Sequence, residues 1–307
     1  MKKLIFSILI LFATSALAAD PFIKTAAGNS VQIKTAAGAG VSVKTVQYFP
    51  VIAVLGQSNA SLMLWPIVAE SVWSSGDSAY TSPANSYEYN GINQTLNRIA
   101  EGKVSQGTVE NPANFQSFCQ TFGALIDKPF GVVDTSVPGS GLQDGVGMYC
   151  WYPEDVDGLY DTAISDINAA LAAFAAAGHP NPYLAGIIYP QGEADAEAGG
   201  NIAGYKAAFS LLASGLRSTY ASNLPIFMVR TGRLTSSDPT GYQNIRQAQD
   251  EICAADPLTH MAYTDSVNFP SYGWMVPESP DVHYATLGID DIGVTIAPIV
   301  YQYMLPP

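Results

Sequence analysis

Four short stretches hold the residue types that acyl-transfer chemistry requires. They are Gly56-Gln57-Ser58-Asn59, Gly139-Ser140-Gly141, Gln191-Gly192-Glu193 and Asp281-Val282-His283. A serine hydroxyl is a weak nucleophile and needs a neighbouring base. The chain has 3 histidines: His179, His260 and His283. His179 closes a helical stretch and His260 precedes a strand, which puts both at the wrong edge of a parallel sheet. His283 lies ahead of the last helix, at the right edge, and is the expected base. Asp281 is the nearest carboxylate to orient its imidazole. A developing oxyanion needs donors in place before reaction. The Ser58 N–H, a glycine N–H from 139–141 and the Gln191 side chain qualify, and one such donor is worth about 10²–10³ in rate. Plainer readings compete: Ser58 as a helix N-cap, and the glycine stretch as a simple turn.

The elements that must position these groups read as alternating β and α. Val51-Ile52-Ala53-Val54-Leu55 is an apolar run stopped by Gly56, the mark of a buried parallel strand. It delivers Ser58 to the carboxyl end of that strand, where a helix begins and open α/β sheets bind ligands. Apolar runs at 130–133, 183–189, 225–229 and 261–264 predict further strands. Helical periodicity appears at 159–177, through Ile202–Leu216, at 242–253 and at 287–303. Each chemically equipped stretch follows a predicted strand, so all four fall at one rim of the sheet. Residues 60–125 fit the scheme poorly and read as a long polar excursion beside the site.

Outside this body lie two further segments. Met1-Lys2-Lys3, the apolar run Leu4–Phe12 and Ala16-Leu17-Ala18 have the form of a secretory leader over residues 1–18. That pattern predicts a secreted or periplasmic protein with no membrane attachment after cleavage. Residues 19–47 repeat Ile-Lys-Thr-Ala-Ala-Gly ten residues apart, at Ile23 and Ile33, with period-2 alternation around Ala-Gly turns. This reads as a small β-arm, either an element for homo-oligomerisation or attachment, or an edge hairpin.

The charge narrows the partners. The chain carries 13 basic and 26 acidic residues, a formal net charge of −13. Such acidity argues against nucleic acid or an anionic membrane. Of the 3 cysteines, Cys119 and Cys150 are the preferred pair in an oxidising compartment, leaving Cys253 over. No Cys or His spacing suggests a metal site.

In this order the motifs resemble the SGNH/GDSL hydrolase superfamily. Within it they are most similar to the sialate O-acetylesterase-like group and the acetyl xylan esterases of carbohydrate esterase family 6. The resemblance covers residues 48–307. It implies an α/β/α sandwich with a parallel sheet of about five strands, no cofactor, and hydrolysis of acetyl esters on carbohydrates. Carried over by position, Ser58 is the nucleophile and His283 the base, with Gly139 and Gln191 at the oxyanion site. Gln57, Asn59, Gly141 and Glu193 are expected on the substrate side, Glu193 by supporting its loop rather than reacting. One departure stands out. The superfamily places its acid three residues before the histidine, where this chain has Pro280, and Asp281 lies only two before. Asp281, Glu278 or a backbone carbonyl would then orient the ring. Aromatic stretches, among them Tyr149-Cys150-Trp151-Tyr152, would be either sugar-stacking surfaces or scaffold. Two other functions remain open: a non-catalytic glycan-binding protein on the same fold, and a short-chain lipase or thioesterase.

Overall fold

A computed structural model describes residues 32–34, 40–42, 47–64, 86–90, 95–98, 116–155, 158–276 and 282–305. It divides into two compact units, Met1–Gln47 and Tyr48–Pro307. In the first, β1 (Gln32–Lys34) pairs antiparallel with β2 (Gly40–Ser42), with Ile33 opposite Val41. The leader and most of the repeat segment lie outside the described residues.

The second unit opens with β3 (Phe49–Val54), α1 (Ser58–Leu64), β4 (Ser86–Asn90), β5 (Thr95–Arg98) and α2 (Gln116–Ile126). It continues through β6 (Phe130–Asp134), α3 (Leu159–Ala176), β7 (Pro182–Pro190), α4 (Glu193–Glu197) and α5 (Ile202–Thr219). Then come β8 (Ile226–Val229), α6 (Thr240–Ala255), β9 (Thr259–Tyr263), α7 (Phe269–Tyr272) and α8 (Thr286–Tyr303). The sheet runs in the order β5-β4-β6-β3-β7-β8-β9. Every neighbouring pair from β4 to β9 is parallel, and only β5 joins antiparallel, at one edge. The sheet thus exceeds the expected five strands. The surplus, β4 and β5, comes from the stretch read as an excursion.

The central strand shows why the layers form. Every residue of β3 is buried. Val51, Ala53 and Leu55 face one apolar layer, and Ile52 and Val54 face the other, as the two-residue period of a strand dictates. The first layer is filled by Ile167 and Phe174 of α3, Leu212 and Leu216 of α5, and Ile245 of α6. The second holds Phe118 and Phe122 of α2 with Ile292 and Ile296 of α8. Each such side chain contributes roughly 1.5–3 kcal/mol when fully buried. The result is the α/β/α sandwich anticipated. Helix α2 was not foreseen, although Phe118, Phe122 and Ile126 carry the i, i+4, i+8 spacing of a buried helical face.

The expected Cys119–Cys150 pair is absent; none of the three cysteines is in a disulfide. Cys119 is packed in the α2/α8 layer, whereas the Cys150 thiol donates to Asp155 at 3.3 Å in a loop beyond β6. Among the described residues no helix is long and apolar enough to cross a membrane.

Candidate active site

The site is assembled where β3, β6, β7 and β8 end. After Leu55 the chain turns sharply at Gly56, whose φ of +147° suits glycine alone. A Cβ there would also collide with the Pro190 carbonyl oxygen at the end of β7. This turn starts α1 at Ser58, which is half-buried. The freed Gly56 carbonyl accepts the Val137 N–H at 2.9 Å and the Ser140 hydroxyl at 3.4 Å. The loop after β6 therefore hangs from the turn that carries Ser58. Within it Gly139 is exposed and left-handed at φ +72°.

Asn59 provides the second tie. It is fully buried. Its Nδ2 donates to Glu193 Oε1 at 2.7 Å and to the Val282 carbonyl at 3.1 Å. Its Oδ1 accepts the Tyr284 N–H at 3.1 Å. The peptide groups on both sides of His283 are thus held by the residue that follows Ser58. Tyr284 is fixed at its far end as well: its hydroxyl donates to Glu193 Oε1 at 3.2 Å and accepts from Gly232 N–H, in the loop after β8, at 2.9 Å. Four rim loops meet through Asn59, Glu193 and Tyr284.

Burial sets the protonation of these groups. It lowers the His283 pKa from the ordinary imidazole value, which favours the neutral ring. It raises the Glu193 carboxyl above its usual range, opposed by the Asn59 and Tyr284 hydrogen bonds. Glu193 Oε2 is buried without a hydrogen-bond partner. His179 and His260 lie elsewhere. His179 stacks on Phe49 at the amino end of β3, with centroids 4.1 Å apart, and His260 stacks on Tyr303 at 4.0 Å.

Several expected substrate contacts have another part in the structure. Gln57, Asn59, Gly141 and Glu193 are all buried. Gln57 Oε1 accepts the Ala194 N–H at 3.1 Å, which joins the Ser58 turn to α4. Val146 covers the position a Gly141 side chain would need. Gln57, Asn59 and Glu193 join separate rim loops, and Gly141 is packed within its own loop. Gln191 also turns inward. Its Nε2 donates to Asp195 at 2.6 Å and its Oε1 accepts from the Tyr205 hydroxyl at 2.9 Å. Asp281 and Glu278 lie outside the described residues.

Asp195, two residues past Glu193, is a residue the sequence analysis missed, and the structure shows its part. Fully buried, it accepts from Leu142 N–H at 2.8 Å, Gln143 N–H at 3.1 Å, Gln143 Nε2 at 3.0 Å and Gln191 Nε2. It locks the loop carrying Gly139 to the start of α4. The signal was a run of polar residues, Gln191 to Asp195, placed directly behind an all-apolar strand. Among the described residues no cluster of His, Cys, Asp or Glu could hold a metal ion.

A half-buried serine at a strand-turn-helix junction, a histidine whose flanking peptide groups Asn59 holds, and a loop bearing Gly139 thus share one rim of the α/β/α sandwich. Residues 104–297 match the profile of a carbohydrate esterase family described as sialic acid-specific acetylesterase, and the chain belongs to that family. It is accordingly a carbohydrate acetylesterase. Among curated proteins none is significantly similar in sequence. Solved structures share the fold. A protein from Arabidopsis thaliana aligns with TM-score 0.59 at 13% identity, over 83% of this chain and 99% of its own. NanS aligns with TM-score 0.58 at 15% identity, over 83% and 97%. A carbohydrate acetylesterase from Xanthomonas citri aligns with TM-score 0.57 at 18% identity, over 89% of this chain but 60% of its own length.

Proposed function

We propose that the protein is an exported serine esterase that removes O-acetyl groups from carbohydrates through an acetyl-enzyme on Ser58. In this reading His283 takes the Ser58 proton as Oγ bonds to the acetyl carbonyl carbon. The oxyanion is met by the Ser58 N–H at the start of α1 and by the Gly139 N–H, with Gln191 behind them. The carbon–oxygen bond to the sugar then breaks, and His283 returns the proton to the departing sugar oxygen. Water repeats the sequence: it gives a proton to His283, attacks the acetyl-enzyme and releases acetate, and the proton returns to Ser58. Asp281 is assigned to orient the imidazole.

The observation that carries this reading is the Asn59 clamp. The side chain next to the nucleophile holds the backbone on both sides of the base, so the two cannot drift apart without breaking buried hydrogen bonds. The leader-like residues 1–18 support export, where polymeric glycans are met. The test is Ser58→Ala, assayed for acetate release from acetylated sugars and for turnover of p-nitrophenyl acetate, beside fluorophosphonate labelling of the unaltered protein. Loss of both activities and labelling at Ser58 are expected. Full activity in the variant overturns the Ser58 mechanism, and an unaltered protein with neither turnover nor labelling leaves a glycan-binding role.

A further inference from the structure

Met148 and Tyr149 are the two most exposed large hydrophobic residues described, at 79% and 57% of their surface. Their exposure is built in. The segment from Gly139 to Trp151 folds back on itself, with Met148 N–H donating to the Gly139 carbonyl at 3.0 Å. Gly141 N–H donates to Tyr149 O and Trp151 N–H donates to Gly141 O, each at 2.9 Å. Trp151 is fully buried and its indole N–H donates to Ser140 Oγ at 2.9 Å. The anchored backbone thus pushes two apolar side chains into solvent beside the proposed oxyanion glycine. The Met148 sulfur lies 3.9 Å from where a Gly139 side chain would begin.

We propose that Met148 and Tyr149 form the platform for a neutral pyranose ring of the acetylated glycan. A pyranose offers an apolar C–H face to such a surface and hydroxyls to its rim. The rim here is acidic. Asp144, Glu154 and Asp155 are exposed around the loop, and none has an ion-pair partner among the described residues. Carboxylates accept sugar hydroxyls and repel a uronate or sialate. A cation argues the other way: Arg233, after β8, has a buried Nε without a hydrogen-bond partner among the described residues. The experiment therefore includes an acidic sugar.

The proposal rests on the esterase reading, and the test separates the two. Ser58→Ala protein is titrated calorimetrically with xylohexaose, which needs no turnover, with and without Tyr149→Ala. The Ser58-intact protein and its Tyr149→Ala, Met148→Ala and Tyr149→Trp variants are assayed on O-acetylated xylo-oligosaccharide, O-acetylated N-acetylneuraminic acid and p-nitrophenyl acetate. Tyr301→Ala, on the exposed side of α8, is the control. The expected result is about tenfold weaker xylohexaose binding in Tyr149→Ala, the scale of one aromatic contact. A matching fall is expected in kcat/KM on the xylo-oligosaccharide relative to p-nitrophenyl acetate, carried by KM and restored by Tyr149→Trp. Unchanged binding and an unchanged ratio overturn the platform, and a preference of the intact protein for the sialic acid overturns its neutral specificity. Platform-dependent binding without any ester turnover would instead sink the esterase reading and leave the platform standing.

Discussion

Asn59 Oδ1 accepts the Tyr284 N–H at 3.1 Å while its Nδ2 donates to the Val282 carbonyl, so one side chain grips the peptide groups on both sides of His283. The partners are 225 and 223 residues apart in sequence. In the proposed mechanism these bonds to the backbone tie the base to the residue after the nucleophile, and the task proposed for a carboxylate at 281 is ring orientation alone.

Asn59→Ala removes both bonds and the one to Glu193, leaving the buried Tyr284 N–H and the part-buried Val282 carbonyl without that partner. Each orphaned group costs about 1–3 kcal/mol, so the variant melts lower. A base displaced by about 1 Å loses on the order of 10²-fold in rate. The expected outcome is a fall of that size in kcat on p-nitrophenyl acetate with little change in KM, measured beside thermal unfolding. A kcat within twofold of the parent would show that the clamp does not position His283.

The second prediction concerns pH. Burial lowers the His283 pKa below the ordinary imidazole value of about 6.5. The base works when neutral, and protonation removes it. Activity is therefore present at neutral pH and lost as pH falls through the lowered value, so the acid limb of kcat/KM has its midpoint below about 6.5. A midpoint above it would show that an ionised carboxylate near the ring, Asp281 foremost, outweighs burial. Asp281→Asn would then move the limb downward.

How much of this could be read from the chain differs by element. β3, β6, β7 and β8 are legible because strands covered on both faces are apolar at every position, and the runs ending at Leu55, Val133, Tyr189 and Val229 say so. β4 is opaque: Ser86-Tyr87-Glu88-Tyr89-Asn90 has the composition of a loop, and β5 is an edge strand. The places of Ser58 at the start of α1 and of His283 ahead of α8 were legible from the β/α alternation. The clamp was not, because Asn59, Glu193 and Tyr284 are ordinary residue types, 91 or more positions apart, which only the folded rim brings together. Gln57 and Asn59, expected on the substrate side, are buried and bonded to other rim loops, and Glu193 bonds to Asn59 and Tyr284, in keeping with the supporting part expected of it.

Gly56 shows how tightly the rim is built. Gly56→Ala places a side chain at φ +147° and drives it into the Pro190 carbonyl. Strain of this kind costs about 1–3 kcal/mol before the clash is counted. Relief requires the Ser58 turn to move away from β7, taking with it the Gly56 carbonyl that holds Val137. The variant is expected to lose both stability and nearly all esterase activity, whereas Gly178→Ala, with open space around its position at the end of α3, loses only stability. Calorimetry together with turnover of p-nitrophenyl acetate separates the two, and an active Gly56→Ala would refute the coupling.

The last prediction follows from the free cysteines. Burial pushes the Cys253 thiol up to about 12, with Asp250 and Asp256 adding to the effect. It raises Cys150 as well, and Cys119 is packed in the α2/α8 layer. A thiol reacts as its thiolate, and only a small fraction of such groups is ionised at neutral pH. In the folded protein an aromatic disulfide reagent should therefore modify these thiols slowly. In denaturant, with no reductant added, three thiols per chain should titrate at once, and the melting temperature should not respond to reductant. A single thiol in denaturant would mean that two of the three are joined, and since Cys119 and Cys150 belong to different parts of the fold, joining them would require a rearranged α2 or a rearranged loop after β6.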